Sequence, residues 1–142
     1  MNTIVENFLV QVNENEKAAA VIDNDRKLSR KELLLLADTI ASKLPANCKR
    51  VRIMMNHSVE MIGSIFAALR IGAAYIPVEP FLPKERIRYM MEEADVTVMI
   101  TNSEYSNRFP EITNIIVDKG YAIDETAVIE ADYNENDLAC LL

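Results

Sequence analysis

The chain has 142 residues, half of them hydrophobic and 26% charged, with a formal net charge of −7 and an isoelectric point near 4.8. That is ordinary composition for one globular domain, long enough to bury a sizeable core. The acidic balance and an aromatic content of 6% argue against nucleic-acid binding, and no apolar run approaches the length of a bilayer span.

Residues 1–12 carry Asn2, Glu6 and Asn7 within an apolar stretch and lack a basic leader, so they do not read as a signal peptide. In that stretch Ile4, Val5, Phe8, Leu9 and Val12 recur at helical spacing. A strand is expected over 18–23, with the turn formers Asp23-Asn24-Asp25 leading into a hairpin return through Arg26-Lys27-Leu28. Ser29 with Glu32 three residues later forms a capping-box pattern. It opens a helix whose apolar stripe is Leu33, Leu36, Ala37, Ile40 and Leu44, stopped by Pro45.

A strand over 51–55 follows. Ser58 is placed to cap the next helix, with Ile62, Ile65, Phe66 and Leu69 as its expected buried face and Gly72 as its stop. A short strand over 75–78 leads to Pro83, expected in the first turn of a helix with the stripe Ile87, Met90, Met91 and Ala94. Strands over 96–100 and 114–117 are expected, with a further one over 127–130, then a polar turn at 132–137 and an apolar run at 138–142. Alternating helix and strand from Ser29 onward predicts a single α/β domain over residues 1–142, with a mainly parallel sheet and flanking helices.

Chemistry-bearing patterns are scarce. Three glycines, Gly63, Gly72 and Gly120, build neither a GxGxxG turn nor a Walker-type phosphate loop. One histidine, His57, excludes a two-histidine metal site, and its pairing with Cys48 or Cys140 as a nucleophilic dyad ranks far below a loop histidine. The two cysteines lie outside any CxxC spacing and read as reduced thiols of a cytoplasmic protein. The acidic clusters Glu92-Glu93-Asp95 and Asp124-Glu125 read as solvated faces, and Met54-Met55 and Met90-Met91 as core filling. Arg86 and Arg88 are candidates for an anion, weighed against pairing of Arg88 with Glu92 one turn on. No catalytic, cofactor-binding or metal-binding residue is assigned.

Read as longer strings, the sequence resembles the amino-acid adenylation domains of nonribosomal peptide synthetases. Leu28-Ser29-Arg30-Lys31-Glu32-Leu33 is similar to the first core motif of that family. Leu69-Arg70-Ile71-Gly72-Ala73-Ala74-Tyr75-Ile76-Pro77-Val78-Glu79-Pro80 is similar to the second, Pro83-Lys84-Glu85-Arg86-Ile87 to the helix start after it, and Asn136-Asp137-Leu138-Ala139 to the approach to the third. Departures are Arg30 for a Tyr, Arg70-Ile71 for Lys-Ala and Glu79 for Asp.

The resemblance implies a ligase that condenses an amino acid with ATP and Mg2+ to an aminoacyl adenylate and passes the acyl group to a carrier protein. The phosphate loop, the nucleotide contacts and the catalytic lysine of such enzymes follow the third motif. A chain ending at Leu142 is therefore expected to be a structural N-terminal segment, truncated before that loop and inactive alone. It would hold no cofactor itself, and its partners would be the remaining adenylation-domain segments. The runner-up reading is a non-catalytic interaction module that self-associates through apolar strand edges such as 138–142. An unrelated doubly wound domain with a ligand at its strand ends ranks third.

Overall fold

A computed structural model describes residues 4–15, 17–23 and 26–118. The elements in chain order are α1 (Ile4–Glu14), β1 (Ala19–Asp23), β2 (Arg26–Ser29), α2 (Arg30–Ala41) and β3 (Arg50–Met54). They continue with α3 (Val59–Arg70), β4 (Ala74–Val78), α4 (Lys84–Glu93), β5 (Val98–Thr101) and β6 (Thr113–Ile116). The expected strand over 127–130, the turn at 132–137, the run at 138–142 and Cys140 lie outside the described residues. Among the described residues no helix is long and apolar enough to cross a membrane.

β1 and β2 form the expected antiparallel hairpin. The other strands make one parallel sheet in the order β4-β3-β5-β6. The chain leaves β3 through α3 to reach β4, then returns through α4 across β3 to β5. Right-handed crossovers in opposite directions put α3 and α4 on opposite faces, so β3 is covered on both sides. One core cluster joins Val51, Ile53 and Met55 to Leu36 and Ile40 of α2 and Ala67 of α3. The other joins Met54 and Met99 to Ile87 and Met91 of α4 and to Phe109. The methionine pairs accordingly fill core, with Met90 only half buried.

Local chemistry accounts for the helix starts. The Ser29 hydroxyl accepts from the Glu32 amide at 3.1 Å while the Ser29 amide donates to the Glu32 carboxylate at 2.9 Å, closing the capping box. Ser29→Ala is expected to destabilise the chain by about 1 kcal/mol in urea unfolding, with the same slope. α2 ends at Ala41, earlier than the stripe through Leu44 predicts. The amides of Lys43 and Leu44 turn back to the carbonyls of Ile40 and Ala41, a tightened last turn that still buries Leu44.

α3 is capped by Ser58, whose hydroxyl accepts from the Met61 amide at 3.2 Å. It stops at Gly72, whose φ of 74° lets the Ala73 amide reach back to Ala68. The face of α3 differs from the expected one. Gly63, Ser64, Ala67 and Ala68 are buried with Leu69, whereas Ile62, Ile65 and Phe66 are only half covered. Close approach to α2 selects small side chains, so the largest apolar residues mark the flank of the contact rather than its centre. Pro83 is the residue before α4 rather than its first, a shift of one position.

Candidate functional site

In an open parallel sheet the natural place for a ligand is the crevice at the carboxyl ends of the strands, where the strand order reverses. Here that point lies between β3 and β5, and it is tied shut by hydrogen bonds. The Thr101 hydroxyl donates to the Met54 carbonyl at 2.6 Å, and the Tyr105 hydroxyl donates to Asn56 Oδ1 at 3.1 Å. Asp118 Oδ1 accepts from the Ser103 amide and hydroxyl at 2.8 and 3.1 Å. Arg108 lies over the Tyr105 ring, 4.7 Å from its centre, and donates to the Pro80 carbonyl. These polar groups serve one another, so the rim works as a clamp holding four loops together.

The dyad of His57 with Cys48 does not form, because the two residues flank β3 at opposite ends of the sheet. His57 is exposed. Burial pushes the Cys48 thiol above its ordinary range despite its bond to the Arg50 carbonyl, which disfavours the nucleophilic thiolate. Glu92, Glu93 and Asp95 face solvent, as does Arg86, and Asp124-Glu125 lie outside the described residues.

Arg88 does not pair with Glu92. It binds Glu85 one turn earlier at 2.7 Å and Glu111 at 2.8 Å, and its guanidinium sits 5.5 Å from the centre of the Phe109 ring. The Arg88 bond holds the Glu111 carboxyl below the usual range. Tertiary approach of the loop before β6 supplies a better acceptor than the helix does, which leaves Arg88 engaged rather than waiting for an anion.

A second feature has no counterpart among the sequence-level candidates. Arg50, Arg52 and Met54 alternate onto the α4 side of β3. Arg52 is 0% exposed, and its Nε, Nη1 and Nη2 atoms make no hydrogen bond. Desolvation pulls its guanidinium down to about 10. It lines a cleft of about 400 Å³ shared with Ile76, Tyr89, Met90, Glu93 and Arg50, whose Nη1 donates to the Ala94 carbonyl at 2.8 Å. The readable signal was topological. A central strand of a parallel sheet is covered on both faces, so a charged residue inside it is necessarily buried.

Comparison with known proteins connects this framework to a family. Residues 8–139 match the sequence profile of the family described as AMP-binding enzyme. The chain is 33% identical over 131 residues to gramicidin S synthase 2 of Brevibacillus brevis, a match covering 87% of this chain and 3% of that synthase. It therefore spans a small part of the curated relatives it matches. Among solved structures, the alpha-methyl-L-serine-AMP bound form of the nonribosomal peptide synthetase FmoA3 superposes with a TM-score of 0.84 at 23% identity, over 96% of this chain and 16% of that one. The N-terminal subdomain of Klebsiella oxytoca NpsA gives 0.81 at 18% identity, over 100% of this chain and 37% of that one. At those identities the likeness is one of fold, that of the N-terminal subdomain of adenylate-forming enzymes. The chain belongs to the AMP-binding enzyme family, and its sequence relatives include synthases of gramicidin S, tyrocidine and surfactin.

Proposed function

We propose that the chain is the structural N-terminal segment of an amino-acid-activating ligase of nonribosomal peptide synthesis, scaffolding an adenylation site completed by other segments. The observation that carries this reading is the family match across residues 8–139 on a chain equal to 3% of its relative's length. In the whole enzyme ATP and an amino acid are the substrates, Mg2+ is the accompanying ion and a carrier protein is the acceptor.

The described residues do not fit a nucleotide site. Phosphoryl chemistry depends on positioned donors and charge around the phosphates. Two of the three glycines are committed to packing and turning, Gly63 against Leu36 and Gly72 at the end of α3. No three His, Cys, Asp or Glu side chains gather among the described residues, so none of those residues is assigned to Mg2+. Its own residues set the order of the strands and clamp their carboxyl ends.

The test is ATP–pyrophosphate exchange by the isolated 142-residue chain across a panel of amino acids. Background rates are expected throughout, and turnover with any amino acid would overturn the reading. A self-associating module is the second reading, favoured by Phe81 at 80% exposure and by Ile116 at 46% on the outermost described strand, β6. Sedimentation at micromolar concentration separates the two. A monomer counts against the module, a concentration-dependent dimer for it.

A further inference from the structure

We infer that the cleft between β3, β4 and α4 is a binding site for a small carboxylate, with Arg52 as its buried cationic anchor. The site is independent of the adenylation reading, since it lies under α4 and away from the carboxyl ends of the strands.

Three observations converge on it. Arg52 is fully covered, yet all three of its guanidinium nitrogens are without an acceptor. A buried unpaired guanidinium is strongly unfavourable, and the planar fork it presents matches the two oxygens of a carboxylate. The cleft it lines, about 400 Å³, falls within the range of small-molecule sites. The remaining lining suits a short organic anion: Ile76 and Met90 offer apolar wall, the Tyr89 phenol a donor, and Arg50 a second cation at the end of α4. Desolvation of Arg52 accords with a site whose counter-ion arrives from outside.

The only carboxylate in this lining is that of Glu93, on the last turn of α4. It is exposed and makes no bond to Arg52. Like-charge repulsion from Glu93 favours monoanions, or dianions short enough to keep their second charge at the Arg50 side.

The experiment is thermal unfolding of the full chain, of Arg52→Met and of Glu93→Gln, titrated with acetate and with succinate. Ionic strength is held constant with chloride. The wild-type midpoint is expected to climb by about 3–5 °C at ten times the dissociation constant. Arg52→Met should stay flat, and Glu93→Gln should respond at lower ligand concentration. A direct reading comes from the Arg52 Nε–Hε resonance, which should shift saturably on the same titration. Parallel curves for wild type and Arg52→Met would overturn the proposal.

Discussion

Arg52→Met is expected to make the protein more stable, by about 2 kcal/mol at pH 7 in chloride buffer. Most single substitutions in a core lose stability, so the sign is diagnostic. Met fills a similar volume between Ile76 and Met99, the residues that flank Arg52 on β4 and β5. It also removes a charge whose nitrogens find no acceptor among the described residues.

The pH dependence follows from the depressed guanidinium. Below about 10 the buried group is charged in the folded chain and its penalty is complete. As pH rises through that value toward the ordinary guanidinium range, the folded state sheds the proton before the unfolded state does, and the wild type gains on the variant. Urea unfolding of both chains at pH 7 and pH 10.5 checks this, the gap being wide at the first and narrower at the second. A variant less stable than wild type at pH 7 would show that Arg52 has an internal partner.

Gly63→Val is expected to cost about 3 kcal/mol, from overpacking and a β-branched residue within a helix. A Cβ built at Gly63 lies 2.7 Å from Leu36 Cδ2 and 2.9 Å from Leu36 Cγ, and 3.5 Å from Ile40 Cδ1. Leu36 is 3% exposed and Ile40 0%, so neither has room to retreat. Gly63→Ala should lose much less, because a gain of about 1 kcal/mol in helix propensity offsets part of the clash. A double-mutant cycle with Leu36→Ala gives the mechanism its own readout. The Gly63→Val penalty should shrink when Leu36 is cut back, and an unchanged penalty would place the strain elsewhere. Chemical denaturation midpoints at constant slope supply every number in the cycle.

Much of the framework was legible because its signals are local. The Ser29–Glu32 capping box, the Ser58 cap and the Gly72 stop each rest on backbone chemistry within a few residues, and the described elements form where that chemistry places them; Asn24 and Asp25 of the expected turn lie outside the described residues. The parallel sheet followed from alternation. What was not legible depends on neighbours distant in sequence. The buried face of α3 was misjudged because large apolar residues were weighed over the Gly63–Ala67 seam that α2 requires. Arg88 was matched to Glu92 on its own helix, whereas Glu111 arrives from 23 residues away. Arg52 went unremarked among apolar neighbours, although β3 lies second in the sheet and is sealed by α4.

For the candidate site, the family strings pointed to the AMP-binding enzyme family that the profile match shows. The clamp between Asn56 and Tyr105, 49 residues apart, needed the fold. Its residues bind one another at the place where a nucleotide-binding sheet would open, which accords with a supporting role.

Titration of the isolated 142-residue chain with ATP and Mg2+, followed by amide resonances of Asn56–Ser58 and Asn102–Tyr105, tests that role most directly. The account predicts no saturable shift at those positions up to millimolar nucleotide. Saturable shifts there at micromolar ATP would contradict it.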